Sequence, residues 1–301
     1  MKVLVTGANG QLGKELAATV GSGVELVALD RAALDISDAE AVDQALAASA
    51  AQLVINAAAY TAVDRAESEP KLAQLGNVQG PAQLARACAN HHARLIHIST
   101  DFVFAGDSAT PYRPDAPTAP LGEYGRSKLA GEQAVREALP GALVIRTGWV
   151  YSRHGGNFVK TMLRLMGERD ELTVVADQVG TPTWARSLAQ ACWSAAGKTA
   201  LQGTLHWSDA GVCSWYDFAV AIYEEASALG MLDRVVTIRP INSQDYPTPA
   251  RRPAFSVLDK TEAWNSLALQ GVHWRQQLRS MLQDMQLQQS ATPQAGANNH
   301  G

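Results

Sequence analysis

Tyr124 and Lys128 stand four residues apart in the run Tyr124-Gly125-Arg126-Ser127-Lys128. On a helix, positions i and i+4 share a face, so a phenol and an ammonium at this spacing point at one site. A free phenol titrates near 10, and using it at neutral pH requires a shift of about three units, roughly 4 kcal/mol. A neighbouring ammonium acts in that direction because it favours phenolate. The run Ser99-Thr100-Asp101 closes a short apolar stretch and adds a hydroxyl, that of Thr100, able to hydrogen-bond the oxygen of a reacting carbonyl. Alone, Tyr-x-x-x-Lys arises often by chance, and its weight comes from what precedes it.

What precedes it is Thr6-Gly7-Ala8-Asn9-Gly10-Gln11-Leu12-Gly13, a G-x-x-G-x-x-G turn between an apolar run and a helical stretch at 14–20. The glycines suit tight turning, close approach of backbone to a pyrophosphate, and close packing of helix on strand. The helix N-terminus adds free N–H groups and a positive dipole end. A purely structural turn is the competing assignment. The next apolar run ends at Asp30, where a carboxylate accepts hydrogen bonds from ribose hydroxyls and favours NADH. Adjacent Arg31 offers a guanidinium for a 2′-phosphate, so NADH or NADPH is expected, with NADH preferred. A loop aspartate capping the next segment is the other reading of Asp30. Asp35 and Ile36 fall near the adenine if the following connection is short. After the third apolar run, the small residues around Ala59, Tyr60 and Thr61 let a loop lie against a cofactor.

These residues need a frame, and the pattern supplies one. Apolar runs at 3–5, 25–29, 53–56, 95–98 and 143–146 alternate with Ala-rich helical stretches at 38–50, 82–90 and 127–139. That alternation predicts an α/β fold, a Rossmann-type doubly wound parallel sheet whose strands are buried on both faces. A dinucleotide-binding domain is expected over 1–150. Beyond it Pro, Gly and Trp become denser, and a smaller C-terminal substrate-binding lobe is expected over 151–287, with some segments returning to the first domain. Residues 288–301 lack apolar periodicity and are expected to form a disordered tail.

Composition narrows the partners. Of 301 residues, 47% are hydrophobic and 18% charged, which allows a large core. Lys and Arg number 25 against 29 Asp and Glu, a net charge of −4, the wrong balance for the basic face of a nucleic-acid binder. Cys88, Cys192 and Cys213 are odd in number and lack any C-x-x-C, so reduced thiols are expected rather than a disulfide framework. No apolar run reaches the roughly 18 residues that cross a bilayer. The opening residues reach Thr6-Gly7 before any signal-peptide core develops, so a cytoplasmic protein is expected. His91 and His92 are adjacent on a helix end and point apart, which argues against a metal pair.

The series of motifs resembles the extended short-chain dehydrogenase/reductases, and within them the keto-sugar-nucleotide reductases that complete dTDP-L-rhamnose synthesis. The resemblance spans residues 1–286 and rests on blocks at 6–13, 56–67, 99–104, 124–132, 146–151, 157–158, 177–183 and 252–253. It implies reduction of the 4-keto group of dTDP-4-dehydro-β-L-rhamnose by hydride from nicotinamide C4. Tyr124 would donate the proton, Lys128 would lower the Tyr124 pKa and hold the nicotinamide ribose, and Thr100 would polarise the carbonyl. Gly10, Gln11, Leu12, Asp30, Ala59, Tyr60 and Thr61 fall on cofactor positions. Thr100, Asp101 and Trp149 fall on substrate positions, Trp149 as a flat apolar wall or else as a core residue. Arg252 would pair with the nucleotide diphosphate, a surface arginine being the alternative.

Related 4,6-dehydratases carry an acid just after their Thr-Asp pair, whereas Phe102 follows Asp101 here, so reduction fits and dehydration does not. In several members of the resembled family a Mg2+ bridges a dimer through glutamates. Glu15 matches the first, but Arg186 holds the second place, so no structural Mg2+ and a monomer or weak homodimer are expected. Two alternatives stay open: a catalytically silent nucleotide-binding regulatory subunit, and a reductase or epimerase of another sugar nucleotide.

Overall fold

In a computed structural model, which describes residues 1–291, the five apolar runs become β1 (Lys2–Thr6), β2 (Glu25–Leu29), β3 (Leu53–Asn56), β4 (Arg94–Thr100) and β5 (Leu143–Thr147). A sixth strand, Gly203–His206, joins them. All pair in parallel, in the order β2-β1-β3-β4-β5 with Gly203–His206 beyond β5. The chain leaves β1 for β2 on one side and returns to lay β3 on the other. The reversal of direction therefore falls between β1 and β3, and in open parallel sheets ligands bind outside the carboxyl ends of the strands at such a point.

Alternate strand residues face opposite layers, as the two-residue period of a strand requires. Val3, Val5, Ile55, Ile96 and Ile145 pack with α1 (Gln11–Ala18) and the Ala185–Ala196 helix. Leu4, Val54 and Leu95 pack with α2 (Ala39–Ser49) and the Gly80–Asn90 helix. Each such fully buried Val, Leu or Ile contributes about 1.5–3 kcal/mol. The expectation that every strand is buried on both faces fails at β2, which is half exposed along its length because it forms the sheet edge beyond β1.

After residue 150 a second apolar core gathers Tyr151, Val159, Met166, Trp184, Phe218, Ile222, Trp274 and Leu278. It is wrapped by the helices Phe158–Glu168, Trp215–Ala228 and Trp274–Ala291 and by a parallel pair of strands, Glu171–Val175 with Thr237–Ile241. The Ala185–Ala196 helix, the Gly203–His206 strand and residues of the Thr261–Leu267 helix belong instead to the main sheet and its core. The expected tail is corrected in part: residues 288–291 continue the Trp274–Ala291 helix, and 292–301 lie outside the described residues. Among the described residues no helix is long and apolar enough to cross a membrane.

Candidate active site

Tyr124 and Lys128 lie in the first two turns of the Glu123–Ala138 helix, which begins four residues before the predicted stretch. Its N-cap, Gly122, has no side chain to offer, and the cap comes from a distance: Glu67 accepts the Glu123 N–H at 2.8 Å. A carboxylate there also complements the positive end of the helix dipole. The helix then presses onto the turn after β4 so closely that a Cβ at Gly125 would lie 2.3 Å from the Phe102 carbonyl oxygen. Glycine is what lets Tyr124 come up to Thr100, whose hydroxyl acts to lower the phenol pKa. Thr100 also donates to Asp101 Oδ1 at 3.0 Å and accepts the Phe102 N–H at 3.2 Å.

Tyr124 is half-buried, and desolvation pushes the phenol up to about 12, with Thr100 pulling it back and the Asp101 charge adding to the rise. The expected lowering by Lys128 is thus corrected. Lys128 is 2% exposed and gives its Nζ to the Ile98 carbonyl at 2.7 Å. Burial brings the ammonium down to about 8, opposed by Glu132. Asp101 is buried as well, and desolvation pushes its carboxyl up to about 6 against hydrogen bonds from Ser256 and Thr100. At neutral pH the site therefore presents a protonated phenol beside a hydroxyl and a predominantly charged ammonium.

The glycine turn sits at the end of β1, beside the loop that follows β3. Gly7 has φ +71°, and a Cβ on it would fall 2.7 Å from the Ala57–Ala58 backbone, so only glycine fits both the torsion and the contact. Gly10 opens α1 with no side-chain cap, leaving the first-turn N–H groups of Gln11 and Leu12 to a ligand, while the Leu12 side chain is buried in the core. Gln11 reaches the second half of the chain by accepting the Asn157 amide at 3.0 Å. Tyr60 is held on both sides of its backbone by one buried amide, Asn77, at 2.9 and 3.1 Å. Ala59 and Thr61 flank it on the same loop. These features fit a dinucleotide.

Asp30 follows β2 with both oxygens engaged: Oδ1 accepts the Ala32 and Ala33 N–H groups at 3.0 Å, and Oδ2 accepts the Asn9 amide. The capping role is therefore present, at the place where a ribose would lie. Arg31 is exposed beside it. Asp35 caps its own turn through Ser37, which holds its carboxyl below the usual range, and Ile36 is buried and packs against Gly80.

On the substrate side, Gly148 packs against the Asp101 carboxylate, which brings the end of β5 beside the end of β4. Trp149 next to it has φ +51°, and its ring stacks on Trp215 with centroids 3.5 Å apart and planes at 3°. One face of the expected apolar wall is therefore already covered. Arg252 stands as a paired cation: it grips Asp64 with two nitrogens at 3.0 and 2.8 Å and also donates to Thr248. To reach a diphosphate it must exchange Asp64 for phosphate.

A family model described as RmlD substrate binding domain matches residues 1–287. The chain belongs to this family. A dTDP-4-dehydrorhamnose reductase of Aggregatibacter actinomycetemcomitans is 40% identical over 287 residues, covering 93% of this chain and 98% of that protein. A Streptomyces antibioticus protein named a probable dTDP-4,6-dihydroxy-2-methyloxan-3-one 4-ketoreductase is 41% identical, covering 95% and 96%. The crystal structure of dTDP-4-dehydrorhamnose reductase from Bacillus anthracis in complex with NADP is similar with a TM-score of 0.89 and 37% identity over 94% of this chain and 99% of that one.

In this member of the RmlD family the residues do not fit the bridging Mg2+. Glu15 is fully buried, and Arg186 donates its Nε–H to Glu15 Oε2 at 3.1 Å. The group facing Glu15 is thus a guanidinium, which cannot ligate a metal. Among the described residues no cluster of three or more acidic, His or Cys side chains is placed to hold a metal.

Three residues of the site escaped sequence reasoning. Glu67 was visible only as part of a motif, because a cap supplied from 56 residues away leaves no local spacing. Asn77 lies on a single π-turn, Leu75–Gln79, and links Tyr60 to Ser127 on the Tyr124 helix, again without a local signal. Glu132 carried one: it continues the face of Tyr124 and Lys128 by a further four residues.

Proposed function

We propose that the protein reduces the 4-keto group of dTDP-4-dehydro-β-L-rhamnose to dTDP-L-rhamnose with NADH or NADPH. The convergence of Thr100, Tyr124 and Lys128 at the carboxyl end of β4, on the same edge of the sheet as the glycine turn of β1 and separated from it by β3, is the observation that carries this reading. The names of its relatives direct it to dTDP-linked 4-keto sugars.

The bound reduced nicotinamide supplies a hydride to the carbonyl carbon. Thr100 then offers its hydroxyl to the carbonyl oxygen and polarises the bond. Tyr124 delivers its phenolic proton to that oxygen as negative charge builds on it, so ketone, hydride and proton give the alcohol. The raised pKa of Tyr124 keeps the acid in the protonated form that reduction uses. Lys128 exchanges its Ile98 contact for the nicotinamide ribose, and its charge offsets the phenolate left behind. Asp30 and Arg31 together suit either cofactor. Buried, unpaired Cys88, Cys192 and Cys213 agree with a reducing compartment such as the cytoplasm.

The test mixes the protein with enzymatically prepared dTDP-4-dehydrorhamnose and NADH or NADPH and follows the reduced-nicotinamide absorbance. Stoichiometric consumption is expected, and Tyr124→Phe should keep the fold and NADH affinity while losing about 10²- to 10⁴-fold in kcat. Near-normal turnover in that variant removes Tyr124 from the mechanism. Binding without consumption of any dTDP-4-keto sugar would make the protein a nucleotide-holding subunit.

A further inference from the structure

Three consecutive residues of β4 each hold a different turn of the helix that carries Tyr124. The Ile98 carbonyl accepts Lys128 Nζ at 2.7 Å, the Ser99 hydroxyl donates to Glu132 Oε1 at 2.5 Å, and Thr100 stands close enough to Tyr124 to lower its phenol pKa. Residues 124, 128 and 132 follow one helix face, so strand and helix are fastened rung by rung. Glu132 is fully buried and also accepts Arg146 Nε at 2.9 Å, Arg146 Nη2 at 2.8 Å and Arg136 Nη2 at 3.0 Å. Arg146, itself buried, stands on β5, and its bidentate fork ties the same carboxylate to a second strand.

An ionised carboxylate set this deep is expensive to desolvate, and a hydrophobic pair would hold a helix to a sheet at lower cost. Its position suggests another use. We propose that Glu132 and Ser99 are positioning residues for the reduction, holding the Tyr124–Lys128 face in register with Thr100 and keeping a negative charge one turn from the Lys128 ammonium. The inference rests on the roles of Thr100, Tyr124 and Lys128 given above.

The charged and titratable groups around Lys128 favour this role. His97 on β4 is held neutral by burial, Tyr124 is a neutral phenol, Arg136 and Arg146 lie beyond Glu132, and Asp101 lies beyond Tyr124. Glu132 is the group that raises the proton affinity of Lys128 against desolvation. Burial pushes the Glu132 carboxyl up, but Arg146, Ser99 and Arg136 outweigh it, so the acid stays ionised.

The test measures NADH affinity by nicotinamide fluorescence, and kcat and KM for the keto sugar, across the pH range in which an ammonium titrates. Wild type, Glu132→Gln and Ser99→Ala are compared, with thermal melting to establish folding. In Glu132→Gln the alkaline midpoints of NADH affinity and of kcat/KM are expected to fall by about one pH unit, the effect of removing an opposite charge. In Ser99→Ala, kcat is expected to fall about tenfold through misalignment, with KM for both substrates unchanged. Unchanged midpoints in a folded Glu132→Gln overturn the proposal, because a merely structural role moves only the melting temperature. If Glu132→Gln does not fold, Ser99→Ala decides, and wild-type kcat there overturns it. A wild type that binds NADH but reduces no dTDP-4-keto sugar refutes the reductase reading alone. The NADH-affinity midpoints then still decide the role of Glu132.

Discussion

Arg186, at the start of the Ala185–Ala196 helix, donates to the buried Glu15 carboxylate of α1 at 3.1 Å and reaches Asp284 of the last helix at 2.5 Å. One guanidinium thus neutralises two acids from opposite ends of the chain. Its ring-stacking partner, Trp184, lies 4.6 Å from its centre. Because Glu15 is fully buried, Arg186→Ala strands a charge, and a loss of about 3–5 kcal/mol in denaturant unfolding is expected. For the same reason neither EDTA nor Mg2+ should change the melting temperature or hydrodynamic mass of the wild type. A metal-dependent change in either would mean that the guanidinium yields its place.

Lys128 makes activity and stability move in opposite directions with pH. Its folded pKa is about 8 against an ordinary 10.5, because burial disfavours the ammonium. Between those values the unfolded chain holds a proton that the folded chain has released, so this group's contribution to stability rises with pH. Activity should instead fall as the pH passes about 8, since the charged form is lost. Comparing unfolding of wild type with Lys128→Met isolates the group: wild type should gain on the variant from about pH 8 to 10.5 while losing turnover. A constant gap between the two would show that Lys128 titrates normally.

Asp30→Ala should raise KM for NADH more than KM for NADPH, since the ribose hydroxyls lose their acceptor while Arg31 remains. The same change frees the N–H groups of Ala32 and Ala33 and should cost about 1 kcal/mol of stability. Equal KM changes for both cofactors would leave Asp30 with the capping role only.

Asn77→Ala removes the amide that pairs both backbone groups of Tyr60 and also touches Ser127. Leaving such groups unpaired costs about 1–3 kcal/mol. The loosened loop should raise KM for the cofactor, with kcat less affected. A variant with wild-type cofactor KM would show that the Ala59–Thr61 loop keeps its shape without this clamp.

The sheet and the Tyr124–Lys128 pair were legible in the chain itself. Strand and helix periods are local, and so are the glycine turn and the four-residue step from Tyr124 to Lys128, because each is set by torsions and spacing within a few residues. Only the tertiary structure decided which groups surround them. Tyr124 is pushed up rather than down because desolvation outweighs the pull of Thr100 and Lys128 turns to the Ile98 carbonyl. Arg252 meets Asp64 instead of standing free, Trp149 is half covered by Trp215, and Glu67 caps a helix that begins at Glu123. Burial and long-range partners set proton affinity and charge, and these depend on segments far apart in sequence that meet only when the sheet closes.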